Sequence, residues 1–189
     1  MSPLIDRNAM ESAFGIEELV TPDDHALDGI VDEPTRAFLR EVGLPDRMGW
    51  FEADQVLLDG DLRIGGEAWR PVAEKYPNCP FDMSTWLSLG GIGLDDVSVD
   101  TVTGDVYCIP EDGAPHLLNS SIGAFAFFLH ALEEERPNYD PEAGTDGVDP
   151  QGAETRLLDL MRRIDPAATE NPESCWFAVL RQVRNLLPY

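Results

Sequence analysis

Apolar positions fall at helical spacing near both ends of the chain and alternate with polar ones through its middle. The stretch DRNAMESAF reads as a short helix and is followed by a turn-rich acidic passage, TPDDHALDGIVDE. EPTRAFLREVGLP then predicts a well-punctuated helix with Phe38, Leu39 and Val42 on one face. Asp32 or Glu33 caps it, and Pro34 belongs in the first turn, where its missing N–H costs nothing. Gly43 suits the left-handed position past the helix end, with Leu44 folding back on Leu39 before Pro45 stops the chain.

The middle is β-like. WFEADQVLLDG and LRIGGEAWRPVAE mix apolar residues with turn punctuation and lie between strand and loop, whereas STWLSLGG reads as a strand. In VSVDTVTGDVYCI, Val97 and Val99 alternate with polar residues, Thr103-Gly104-Asp105 turns the chain, and Val106 to Ile109 return. This predicts an antiparallel hairpin with a positive φ at Gly104. PEDGAPHLL is a loop leading into another short strand.

Helical spacing then resumes. NSSIGAFAFFLHALEEERP predicts a helix capped by Ser120 or Ser121, with Ile122, Phe125, Leu129 and Leu132 on one face. Residues 137–153, PNYDPEAGTDGVDPQGA, hold many Pro, Gly and Asp and little to bury, which predicts an exposed loop. Two helices close the chain. ETRLLDLMRRIDP places Leu157, Met161 and Ile164 on one side. NPESCWFAVLRQVRNLL is expected to start with an Asn171 cap and Pro172, and to present Trp176, Val179, Leu180, Val183 and Leu187.

Composition narrows the class. A chain of 189 residues with 43% apolar content suits one domain, or one domain with decorated ends. No apolar run approaches the roughly 18 residues of a membrane span. MSPLIDRNAMESAF lacks the basic region and apolar core of a secretory signal. The three cysteines, Cys79, Cys108 and Cys175, are odd in number and far apart, which argues for a reducing cytoplasm over a disulfide scaffold. Charge is the strongest compositional feature: 36 acidic residues against 13 basic ones give a net charge of −23. Such a field repels nucleic acid and anionic lipid and speeds encounter with a basic partner. Adaptation for solubility would give the same excess.

Candidate chemistry adds no catalytic set. Gly90, Gly91 and Gly93 are followed by strand-like LDDVSVD, with no lysine nearby and two aspartates that would repel a phosphate. They read as a bend or bulge between strands. His25, His116 and His130 stand alone, CxxC is absent, and Asn78-Cys79-Pro80 lacks the rest of a deaminase zinc signature. No GxSxG surrounds Ser84, Ser88 or Ser120, and neither Asp95-Asp96 nor Glu111-Asp112 has EF-hand spacing. No catalytic residue, metal or cofactor is expected, and the chain reads as a non-enzyme.

The order of these signals resembles the SUKH superfamily (Syd, US22 and Knr4 homology), and within it the SUKH-4 immunity proteins. TRAFLREVGLP, WLSLGGIGLDDVSVDTVTGDVYCIP, LLNSSIGAFAFFLHAL and the closing CWFAVLRQV carry the resemblance, over roughly residues 34–187. It implies an α+β fold, a mainly antiparallel sheet with packed helices and a helical C-terminus. Residues 1–33 would form a helical and loop extension before a single domain, 34–189. Gly90, Gly91, Gly104, Asn119 and Ser120 would shape turns and caps, and Phe38, Leu39, Trp86, Phe125 and Leu129 would fill the core. Trp50 and Trp69, in less periodic segments, stand as either partner anchors or core.

The resemblance further implies a cytoplasmic, non-catalytic protein that neutralises a bacterial toxin, such as a nuclease or deaminase, by stoichiometric occlusion. The rival reading is a scaffold or regulatory domain of the Knr4 kind. An acidic inhibitor suits a basic toxin, and neither nucleic acid nor membrane is an expected partner. Asp95, Asp96, Glu111 and Asp112 flank the predicted hairpin and are the candidate contact residues, because the loops of a sheet protein carry much of its function.

Overall fold

In the computed structural model, which describes residues 4–47, 49–143 and 147–186, the chain opens with α1 (Arg7–Phe14). The Asp6 carboxylate caps it by accepting the Ala9 N–H at 2.9 Å. β1 (Leu19–Val20) pairs antiparallel with β2 (Leu44–Pro45). Between them lies α2 (Glu33–Glu41), where Asp32 is the cap and accepts the Thr35 N–H at 2.9 Å. Gly43 has φ +83° and its N–H reaches back to the Phe38 carbonyl, as its sequence position predicts. Ile5, Met10, Leu27 and Ile30 from the first 33 residues share the hydrophobic core of the rest.

Between residues 51 and 75, helical turns replace much of the expected strand or loop, which persists as loop over residues 60–65. Only β3 (Glu52–Ala53) is extended, followed by α3 (Gln55–Asp59), a 3-10 turn at Gly66–Trp69 and α4 (Arg70–Lys75). Local capping decides this. Asp54 accepts the Val56 N–H at 3.1 Å and starts α3, while Pro71 occupies the first turn of α4.

The sheet is a five-stranded antiparallel meander: β3, β4 (Trp86–Ile92), β5 (Asp95–Asp100), β6 (Val106–Ile109) and β7 (His116–Asn119). The predicted hairpin is present, with Val97 opposite Cys108, Val99 opposite Val106 and Gly104 at φ +81°. All four residues of β6 are buried because both faces are covered. Val106 and Cys108 join the main core with Val97, Val99, Leu87 and Leu118. Tyr107 and Ile109 point the other way into a second cluster with Trp69, Met83 and Trp86.

The glycine-rich stretch breaks that alternation. β4 carries a bulge between Ser88 and Gly90, which moves the later residues by one position and turns Ile92 into the main core. Gly90 lies under β3, and a Cβ there would collide with the Glu52 carbonyl oxygen and the Phe51 ring.

A helical layer covers the main face. α5 (Ile122–Tyr139) lies centrally and buries Phe125 and Leu129 together with Ala126, Phe128 and Leu132, on more than one side. α6 (Pro150–Ile164) and α7 (Cys175–Asn185) pack beside it, and Trp176 sits between Phe125 and Phe128 at centroid distances of 5.9 and 5.4 Å.

Two expectations need correction. Residues 137–153 are not one exposed loop: α5 runs through Pro137 to Tyr139, and α6 begins at Pro150. Tyr139 holds the final turn of α5, being buried and donating its hydroxyl proton to the Leu132 carbonyl at 3.0 Å. Nor does Asn171 cap the last helix. Its side chain accepts the Glu173 N–H in a preceding turn, and Ser174 occupies the cap position three residues later. Leu187, expected on the apolar face of that helix, lies outside the described residues. Among the described residues no helix is long and apolar enough to cross a membrane.

Candidate partner-binding groove

At one end of the sheet, the turn between β4 and β5, the loop between β6 and β7, the end of α5 and the first turns of α7 enclose a groove of about 770 Å³. Each wall follows from a local rule. Gly93, at φ +62°, makes the tight β4–β5 turn, which lifts Leu94 to 78% exposure and sets Asp95 at the start of the next strand. Pro110 ends β6, and Glu111 and Asp112 follow in the loop. The Asp95 carboxylate accepts the Glu111 N–H at 3.2 Å, joining turn to loop. Opposite them, Val179 and Cys175 on α7 form apolar floor, while Arg181 reaches solvent.

Trp50 closes one end of the groove. Its indole N–H donates to the Tyr139 hydroxyl at 2.9 Å, and the two rings lie 6.4 Å apart at a tilt of 57°. Burial pushes the Tyr139 hydroxyl up to about 12, against the opposing effect of the Trp50 hydrogen bond.

Electrostatically the groove is acidic, with six Asp or Glu and two Arg in its lining. These acids are of two kinds. Glu133 and Asp140 are already compensated: Arg136 donates to Asp140 at 2.8 Å, and Arg47 donates to Glu133 at 2.7 Å. Burial works against the charged form of Asp140, yet the Arg136 hydrogen bond and the Glu142 and Ala143 N–H groups hold its carboxyl below the usual range. Asp95, Glu111, Asp112 and Glu173 form no ion pair among the described residues, and neither does Arg181 on the facing wall.

Behind the lining, the Cys108 thiol is pushed up by its hydrogen bond with Cys175 and by burial, so it stays protonated. Cys108 is fully buried and offers no surface to a substrate. Ser174 is buried in the lining, and its hydroxyl has no hydrogen-bond partner among the described residues. Among the described residues no group of three or more His, Cys, Asp or Glu is placed to hold a metal ion. An apolar floor with charged edges is an arrangement for binding, of the kind that protein interfaces use.

Of the residues singled out from sequence, Asp95, Glu111, Asp112 and Trp50 come together here. Asp96 does not: it is exposed on the opposite face of β5, where partial desolvation and the nearby Asp54 and Asp95 charges raise its carboxyl. Trp69 does not either. It is buried on the far side of the sheet, edge-on to Trp86 at 6.0 Å. Sequence reasoning missed Leu94, Val179 and Arg181. For Leu94 the signal was present, a large aliphatic residue in a two-residue turn between strands. Val179 reads from sequence only as part of the apolar core face of its helix, and Arg181 lies on the exposed face, which is read only after the buried face is known.

No curated protein and no solved structure matches this chain. A family model, the SUKH-4 immunity protein family, matches residues 5–182. That span takes in the strands, the groove walls and nearly all of the helical layer, and the chain belongs to the SUKH-4 immunity protein family.

Proposed function

We propose that this protein neutralises a cognate bacterial toxin in the cytoplasm by binding it stoichiometrically and covering its working surface, with no catalytic turnover. Membership of an immunity protein family supports the role. The observation that carries the mechanism is the convergence of Asp95, the Glu111-Asp112 pair and Trp50, three separate parts of the sequence, on one groove. The net charge of −23 favours a basic toxin, whose nucleic-acid-binding surface the acidic groove edge would complement.

Co-expression tests the reading. The toxin domain encoded beside this gene should arrest growth alone and be tolerated when this protein is supplied. The purified pair should elute as a fixed-ratio complex that needs no cofactor. Arrest that persists despite full expression of both chains would defeat the proposal and favour a scaffold role with cellular partners.

A further inference from the structure

We infer that the groove between the β4–β5 turn and α7 takes a protruding cationic segment of the partner, with an aliphatic or aromatic side chain seated on Leu94, Val179 and Trp50 and flanking Arg or Lys side chains paired with Asp95, Glu111 and Asp112. This deepens the immunity reading and rests on it.

Two observations select this occupant. First, the apolar element is displayed, not hidden. Leu94 is 78% exposed at the rim, beside the buried Val179 of the floor and the half-buried Trp50. Leu94 shares one groove lining with Val179 and Trp50, and apolar centres ringed by charge are where interface energy concentrates. Second, the acids divide by position. Glu133 and Asp140 are spent on Arg47 and Arg136, whereas Asp95, Glu111 and Asp112 on the sheet side and Glu173 on the α7 side form no ion pair among the described residues, Lys75 reaching only the Glu111 backbone carbonyl at 3.3 Å. Three of the four open acids therefore draw cations to the sheet side. Arg181, on the α7 wall and also without an ion pair, disfavours a uniformly cationic occupant and orients the segment.

The volume fits several side chains of a segment. At about 770 Å³ the groove lies within the roughly 300–1,000 Å³ of sites that enclose drug-sized groups. Nucleic acid is repelled by the same acids that attract the cations.

The test uses the full chain and a fluorescein-labelled peptide of sequence Gly-Arg-Leu-Arg-Lys-Leu-Arg-Gly. One control peptide carries Glu for every cation and the other Ser for both Leu. Amide and indole resonances of Trp50, Leu94, Val179 and Arg181 should shift on titration, with micromolar affinity by anisotropy. The Ser peptide should bind about tenfold more weakly, as loss of an interface anchor predicts. The Glu peptide should not bind. Glu111→Gln with Asp112→Asn, and separately Leu94→Ser, should each weaken binding about five- to tenfold, while Asp96→Asn should leave it unchanged. Shifts spread over the surface with the groove unmoved would overturn the inference, as would equal binding of the Ser peptide or no effect of the Leu94 substitution. The two readings fail separately. Cells protected from the toxin while the peptide ignores the groove would leave immunity standing and remove this occupant. A groove that binds the peptide in a protein that gives no protection would do the reverse.

Discussion

Ser120 and Ser121 are adjacent and chemically identical, yet only one caps α5. The Ser121 hydroxyl accepts the Ala124 N–H at 3.1 Å. Ser120 instead gives its backbone N–H to the Asp165 carboxylate at 2.8 Å, and its side chain is exposed. Ser121→Ala should cost about 1 kcal/mol in urea unfolding. Ser120→Ala should stay within about 0.5 kcal/mol, because it keeps the N–H that does the bonding. The preceding residue is more demanding. Asn119 is fully buried, donates to Asp165 at 3.0 Å and accepts the Trp176 indole N–H at 3.1 Å. Asn119→Ala strips both contacts and leaves a buried carboxylate short of a donor and an indole N–H without an acceptor. At about 1–3 kcal/mol per unsatisfied group, the loss should reach about 3 kcal/mol by chemical denaturation. Asn119→Asp should be at least as damaging, since it sets a second carboxylate against Asp165.

Among the elements, β6 links the two packed faces of the sheet, and its Tyr107 gives that position a titration signature. Burial, with the charges of Asp105 and Asp100, pushes the Tyr107 hydroxyl up to about 12. Tyr139 on α5 reaches about 12 chiefly by burial. An unfolded tyrosine titrates near 10, so the folded state binds more protons between about pH 10 and 12. The slope of unfolding free energy with pH is then negative. The contribution of both groups is complete below about pH 10 and is lost as pH rises towards 12. Absorbance at 295 nm should show these two tyrosines ionising late, together with the loss of far-UV structure. Tyr107→Phe and Tyr139→Phe should each flatten the alkaline fall in stability, and Tyr139→Phe should also release the Trp50 indole.

For the whole molecule, a net charge of −23 acts before any contact forms. Long-range attraction raises the association rate with a basic partner and fades with salt, whereas dissociation depends on the short-range contacts. Asp95→Asn, Glu111→Gln and Asp112→Asn together should slow association with the purified toxin domain about tenfold at low salt, flatten its salt dependence and change dissociation less. Asp96→Asn, which changes total charge by one but lies on the other face of β5, should scarcely alter the rate. Stopped-flow measurements at two salt concentrations separate these outcomes. An association rate unaffected by the triple substitution would remove the acidic groove edge from the encounter.

What the sequence determined alone is what short-range physics determines. The caps at Asp32 or Glu33 and at Ser120 or Ser121, the stop at Gly43, the hairpin around Gly104 and the bend or bulge at Gly90 each depend on a few neighbouring residues and are legible as patterns, while the structure selects Asp32 and Ser121. So is the net charge. Where the pattern misled, a distant contact outweighed it. Pro137 and its polar neighbours read as loop, but a buried Tyr139 bonded to Leu132 and Trp50 keeps the helix running. The helices at 55–59 and 70–75 are one or two turns long, too short for a helical period to show. The groove belongs wholly to the tertiary structure. Trp50, Leu94, Glu111 and Val179 are far apart along the chain and meet only because the bulge, two tight loops and the packing of α7 on α5 bring their ends together. The same topology sends Asp96 elsewhere, since successive residues of a strand face opposite sides of the sheet, and the 3-10 turn at Gly66–Trp69 carries Trp69 into the second cluster.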